Sequence, residues 1–311
     1  MRSVRYHQYG GPEVLRLEEV PEPEPGPGEL LVRAEAVGVT LPAVRKVYGE
    51  GERTRLPGTL GGEVAGRVIA VGSQVTGYSI GDRVTGLAFT DAYADVVVLP
   101  TFTASLVPDD AGFTPAVALV RSGHVALAAL ATADLTEAES VCITGAAGGV
   151  GHLAVQLAKL QGVKRVTAAV SSTAKASFLY GLGADEVVTY QDAQWGEPVD
   201  VVLDAVGGEL LPRAVAALRP GGRLIFFNSG GGTVPAFDLL AGSKTITGIT
   251  MARFAATRRP LYDDHHRQLW HLHQAGRLHV AIHAEVALPD VAEAHRIIET
   301  RANCGKVVLI L

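Results

Sequence analysis

The chain has 311 residues, 48% of them hydrophobic, and a formal net charge of −5 at pH 7. That is enough apolar material for a large core, and more chain than one domain is expected to hold. The negative balance gives no sign of a nucleic-acid or anionic-membrane partner, and two cysteines, Cys142 and Cys304, make neither a disulfide framework nor a four-cysteine zinc site.

The opening MRSVRYHQYGGPEVL lacks the apolar stretch of a secretory signal, and no uninterrupted apolar run reaches ~18 residues. No membrane association is therefore expected, and the cytoplasm is the default compartment. The first hundred residues then alternate short apolar runs with turns. LLVRAEAVGV (Leu30–Val39) follows the extended connector PEPEPGPGE, and GGEVAGRVIAVGSQV (Gly61–Val75), DRVTGLAF and YADVVVLP follow in turn. This is the rhythm of a mostly β unit.

The texture changes near Phe113. FTPAVALVRSGHVALAAL carries an early Pro and a long Ala-rich run, which predicts a helix. Strand and helix patterns alternate from there. Strands are expected at Val141–Thr144, Arg165–Val170, Glu186–Tyr190, Val199–Asp204, Arg223–Phe227 and Thr245–Ile249. Helices are expected at Val150–Leu160, Thr173–Leu182 and Glu209–Leu218. Six such strands predict a doubly wound parallel sheet. The last sixty residues hold helix candidates at His265–Ala275 and Pro289–Thr300 and a closing strand, KVVLIL. The four histidines of DDHHRQLWHLHQ do not have a ligand spacing, and read as the polar face of a surface helix.

The strongest local signal is VCITGAAGGVGHLAVQLAKLQG. A buried strand runs into Gly145, Gly148 and Gly151, with Gly149 and Val150 in the same turn, and a helix follows. Glycine lets the backbone close on a pyrophosphate, which the free amides and helix dipole then hold. NAD sites usually end the second strand on an acidic residue. Here it ends AAVSSTAK, with no carboxylate but with Ser171, Ser172 and Lys175. That set suits a 2′-phosphate. Each residue also has an ordinary reading, a helix cap for the serines and a solvated lysine.

Taken together, YGGPEVL, GGEVAGRVIAVGSQVTGYSIGDRV, GAAGGVGHLAVQLAK, LGADEVVTY, VDVVLDAVGG, LRPGGRLI and RANCGKVVL resemble, in this order, the zinc-independent quinone oxidoreductase (zeta-crystallin-like) branch of the medium-chain dehydrogenase/reductase superfamily. The resemblance implies a GroES-like β domain, 1–112 and 251–311, with a Rossmann domain, 113–250, inserted into it. It implies NADPH, with Lys175, Tyr190 and Arg301 at the positions that hold the 2′-phosphate and Ser171 assisting. It also places Gly207, Asn228 and Ser229 beside the nicotinamide half, and implies a homodimer joined at the edge strand SKTITGIT (Ser243–Thr250).

The same resemblance marks departures. Thr40 and Gly62 stand where zinc-dependent relatives have Cys and His, so no metal is expected. Thr40, Ala43 and Val47 replace the Asn, Asp and Arg common in the substrate loop GVTLPAVRKVYG, and Val125 replaces a Thr. Thr40, Arg45, Tyr48 and His124 are the candidates for touching substrate, though a lone His in an apolar stretch such as that of His124 is more often a satisfied core residue. The implied activity is NADPH-dependent reduction of a quinone or other conjugated carbonyl, a small molecule. The alternatives are a 2-enoyl thioester reductase, or a non-catalytic NADPH-binding structural or sensing protein.

Overall fold

The computed structural model describes every residue except Glu52. The chain runs β1 (Arg2–Tyr6), β2 (Leu15–Glu19), β3 (Glu29–Val39), α1 (Leu41–Val47), β4 (Gly62–Val71), β5 (Arg83–Ala88), β6 (Val96–Pro100), β7 (Ser105–Leu106), α2 (Phe113–Val117), α3 (His124–Ala133), β8 (Ser140–Thr144), α4 (Gly151–Leu160), β9 (Arg165–Val170), α5 (Ala176–Gly181), β10 (Glu186–Thr189), β11 (Val199–Asp204), α6 (Leu211–Ala216), β12 (Leu218–Phe226), α7 (Ala236–Ala241), β13 (Thr245–Gly248), α8 (Met251–Thr257), α9 (Arg259–Gln274), β14 (Ile282–Ala287), α10 (Val291–Glu299) and β15 (Lys306–Ile310).

The chain forms two compact units, Met1–Arg121 with Ile282–Leu311, and Ser122–Ala281. The expected borders at 113 and 251 thus differ from the observed ones, and packing gives the reason. Arg83 lies over the Phe113 ring and the Thr85 hydroxyl donates to the Ala116 carbonyl, which keeps α2 with the first unit. Tyr262 and Phe254 cluster with Ala128 of α3, and Leu269 covers Gly123, which keeps α8 and α9 with the second.

The first unit is GroES-like and β-rich. Its seven-stranded sheet runs β14-β15-β3-β4-β5-β7, with β6 also paired to β3, and β1 and β2 form a separate antiparallel pair. Tyr6, Leu30, Val64, Tyr93 and Leu99 fill its core, and α10 adds Val291, Ala294 and Ile298. The stretch read as a substrate loop is helical here. Thr40 caps α1 by accepting the Ala43 amide, and a proline sits in the first turn.

The second unit is a doubly wound Rossmann fold. Its six strands are all parallel, in the order β10-β9-β8-β11-β12-β13. Every residue of β8 and β11 is buried, as the continuous apolar runs of a two-sided sheet require. The strand order reverses between β8 and β11, and ligands of such sheets bind outside the carboxyl ends at that point.

α2 and α3 join through a π-helical turn, Ala118–Gly123, into one helical stretch. By length and composition alone Phe113–Ala133 is apolar enough to cross a membrane, but 83% of its most apolar window is buried inside the protein. Arg121, Ser122 and His124 interrupt this stretch, so no uninterrupted apolar run reaches its length in the sequence. Helix α9 is likewise not a plain surface helix: Tyr262, His265, Leu269, Trp270 and Leu272 are buried.

Candidate functional site

The glycine turn closes as the sequence predicts. The Gly148 amide donates to the Gly145 carbonyl at 2.9 Å. A Cβ on Gly151 would lie 2.3 Å from that same carbonyl oxygen, so only glycine lets α4 start this close to β8. The amides of a helix's first turn lack intrahelical partners and make an anion cradle; that of His152 already donates to the Gly148 carbonyl at 3.1 Å.

Two side chains fix this turn from behind. The Tyr190 hydroxyl, expected at the 2′-phosphate, accepts the Gly145 amide at 2.9 Å. Its ring lies 5.9 Å from that of Trp195. His152, which sequence reasoning passed over, is buried, with Nδ1 2.9 Å from the Gly148 carbonyl and Nε2 accepting the Ala281 amide at 3.2 Å. Those partners require the proton on Nδ1. Gln156, one turn on, pairs with both the amide and the carbonyl of His279.

At the end of β9, Ser172 caps the turn Thr173–Lys175 by accepting the Ala174 amide, which is the ordinary reading for that serine. Ser171 and Lys175 are half-buried in the same bend. No carboxylate occurs from Val170 to Lys175.

Beyond β11 and β12 the expected cofactor residues do meet. The Asn228 amide donates to the Asp204 carboxylate at 3.0 Å and accepts the Gly230 amide at 2.7 Å. The Gly207 amide donates to the other carboxylate oxygen at 3.2 Å. Ser229 is exposed beside them. Asp204 itself was missed, although an acidic residue closing the apolar strand VVLD is a visible signal.

The substrate candidates divide between the two units. Thr40 is engaged as the α1 cap. Arg45 pairs with Glu50 at 3.5 Å. Tyr48 is 46% exposed, and its hydrogen bond to Glu299 raises its pKa above the ordinary phenol value. These three and Arg301, which is exposed in a turn at positive φ, belong to the first unit. His124 belongs to the second and is fully buried, stacked on Tyr262 with centroids 4.1 Å apart and its Nε2 3.2 Å from the Tyr262 carbonyl. That is the core reading of His124. Among the described residues no group of His, Cys, Asp and Glu is arranged to hold a metal.

Known proteins match this arrangement along its length. The model of the alcohol dehydrogenase GroES-like domain matches residues 26–109, and that of the zinc-binding dehydrogenases matches 182–309. A quinone oxidoreductase of Pseudomonas aeruginosa is 32% identical, with 99% of each chain covered. A mycobacterial protein solved with NADPH superposes with a TM-score of 0.93 at 32% identity, both chains fully covered. The Escherichia coli quinone oxidoreductase, also solved with NADPH, gives a TM-score of 0.93 at 29% identity over all of both chains. With 32% identity across 99% of its length, the chain belongs to the quinone oxidoreductase family of the medium-chain dehydrogenase/reductase superfamily.

Proposed function

We propose that this protein is an NADPH-dependent reductase of quinones or other α,β-unsaturated carbonyls that works without zinc. The observation that carries the reading is the pairing of a glycine-tight anion cradle at α4 with a second strand ending in Ser171 and Lys175 rather than an acid. Those residues fit the pyrophosphate and the 2′-phosphate respectively. NADPH binding in the two solved relatives supports the same assignment. When bound, the cofactor supplies a hydride. The chain's own residues hold the phosphates, fix the turn through Tyr190 and His152, and keep the loops after β11 and β12 in one shape.

The residues support the zinc-free part of the proposal directly. Gly62 has no side chain to ligate a metal, and the Thr40 oxygen is occupied as a helix cap. A homodimer is part of the same reading. β13 is the last strand of its sheet, and Phe237 and Leu240 on the preceding α7 are 71% and 73% exposed. A strand edge of this kind calls for a cover, and sedimentation as a monomer at micromolar concentration would overturn the dimer.

NADPH oxidation measured against a panel of quinones, enones and 2-enoyl thioesters tests the function. Turnover of quinones or enones is expected. Turnover confined to the thioesters would transfer the reading to an enoyl thioester reductase. Tight NADPH binding with no turnover of any acceptor would favour a non-catalytic sensing or structural role.

A further inference from the structure

Asp204 ends β11 with no exposed surface. Its Oδ1 accepts the Thr144 hydroxyl at 2.7 Å and the amides of Val206 and Gly207 at 3.2 Å each. Its Oδ2 accepts Nδ2 of Asn228 at 3.0 Å. Thr144 ends β8, and Asn228 lies two residues past β12. One buried carboxylate therefore ties together the carboxyl ends of three adjacent strands, across the place where the strand order reverses.

The consequences spread through the loops that follow. The bond to Asp204 fixes which way the Asn228 amide faces, and Asn228 Oδ1 then holds the Gly230 amide. Gly207 sits at φ 65° and presses against that side chain: a Cβ on it would lie 2.3 Å from Asn228 Oδ1. The Gly208 amide reaches the Gly231 carbonyl at 2.8 Å. On the other side, Ala205 and Val206 abut Gly145, the first glycine of the anion cradle; a Cβ there would lie within 3.4 Å of both. Burying a carboxylate costs free energy that hydrogen bonds from several fixed donors offset. Apolar residues would fill a central strand without that cost, so the carboxylate is best explained by what it holds in place.

In a doubly wound sheet the adenosine half of a dinucleotide lies over the first strands and the other half crosses the switch point to the later ones. Here these are β8 and β9 on one side, β11 and β12 on the other. We propose that Asp204 is a positioning residue for the nicotinamide half of the cofactor, acting through Thr144, Gly207 and Asn228 and not by touching the ligand. This rests on the NADPH reading above.

The test uses Asp204→Asn in the full-length protein. Its oxygen still serves Thr144, Val206 and Gly207, but its NH2 now meets the NH2 of Asn228. If Asn228 turns over to accept, its own NH2 meets the Gly230 amide. The variant therefore loosens the 228–232 loop while keeping the shape of residue 204. Titration calorimetry with NADPH and with 2′,5′-ADP, which carries only the adenosine half and its phosphates, separates the two ends. Loss of one charged hydrogen bond predicts NADPH binding weakened about tenfold, with 2′,5′-ADP held within about twofold.

Thr144→Val removes the bond across the switch point at nearly constant volume, and carries the same test if Asp204→Asn does not fold. Adding Asn228→Asp to Asp204→Asn restores a donor–acceptor match between the two side chains and should recover part of the NADPH affinity. Equal weakening of both ligands in Asp204→Asn and Thr144→Val, or no weakening of either, overturns the proposal. Failure of the parent protein to bind either ligand would instead overturn the NADPH reading, and this inference with it.

Discussion

Lys306 Nζ lies 3.1 Å from Glu63 Oε1, with only 4% and 1% of the two side chains exposed. Glu63 is on β4 and Lys306 opens β15, and β3 runs between them in the sheet. The pair passes over Gly38 of β3, where a Cβ would fall 2.4 Å from Glu63 Oε2 and 2.8 Å from Lys306 Cε. Arg121, on the π turn, stands 3.6 Å from the same Glu63 oxygen. Burial works to raise the Glu63 pKa, but the two cations outweigh it and hold it below the ordinary carboxylate value.

Glu63→Gln therefore leaves the Lys306 ammonium buried without its counter-charge, and stability in urea should fall by about 3–5 kcal/mol. The double variant Glu63→Gln/Lys306→Met removes the stranded charge and should lose less than the single one. Gly38→Ala should behave like the single variant, because its methyl group displaces the pair. A loss of less than about 1 kcal/mol in Glu63→Gln, the range of an exposed pair, would show that this contact does not hold the sheet together.

His295 predicts an acid-sensitive fold. Its ring is buried edge-on to Tyr93, with centroids 5.8 Å apart, and neither ring nitrogen has a hydrogen-bond partner among the described residues. Burial pushes its pKa down to about 4 from an ordinary 6.5. The unfolded chain then takes up this proton more readily than the folded one at any pH between those values. The contribution is fully present above pH 6.5, declines as pH falls, and is gone below pH 4. The difference corresponds to about 3 kcal/mol. His265 is shifted in the same direction by burial, so the comparison that isolates His295 is the Tm of the parent and of His295→Leu from pH 7 to pH 4. The parent should lose more than the variant. Parallel curves would assign the acid sensitivity elsewhere.

Cofactor preference can be read at one lysine. A charge-assisted contact to a 2′-phosphate contributes roughly 1.5–3 kcal/mol. Lys175→Ala should therefore weaken NADPH by about tenfold or more and leave NADH nearly unchanged. Equal affinity of the parent protein for the two cofactors would sink the assignment before the variant is made.

The parallel sheet and the glycine turn were legible because each is written locally. Buried runs such as VCIT and VVLD mark central strands, and three glycines between a strand and a helix mark the anion cradle. Helix α1 was missed even though Thr40 and Pro42 carry its start, because the loop of related proteins was read onto it. The Thr144–Asp204–Asn228 and Glu63–Lys306 networks join residues far apart in the chain, and periodicity carries no trace of such pairing. Tyr190 is placed at the 2′-phosphate by resemblance alone; the contact of its hydroxyl with the Gly145 amide is one that no local pattern signals.

On the proposed zinc-free reading, a conjugated carbonyl is favoured over a simple alcohol as substrate. Oxidising a simple alcohol requires loss of the hydroxyl proton, and a bound metal assists by lowering that pKa as a Lewis acid. Gly62 and Thr40 offer no such ligand set. The groups that would have to replace the metal are committed elsewhere: Thr40 to a helix cap, Arg45 to Glu50, and His124 to a stack with Tyr262. A quinone or enone makes smaller demands. Its conjugation spreads the charge that arrives with the hydride, and water or one donor completes the protonation. The main requirement is then fixed alignment of the cofactor with the electrophilic carbon. Tyr48 has an exposed ring, and its hydroxyl is hydrogen-bonded to Glu299, which raises its pKa above the ordinary phenol value. Tyr48→Phe therefore tests its part in protonation, with a several-fold loss of kcat on enones and a smaller one on quinones expected if it donates. Steady-state assays should find NADPH-linked reduction of 1,4-benzoquinone or a simple enone and no measurable NADP-linked oxidation of ethanol or benzyl alcohol. Alcohol oxidation at a rate comparable to quinone reduction, or activity abolished by a chelator, would overturn the zinc-free reading.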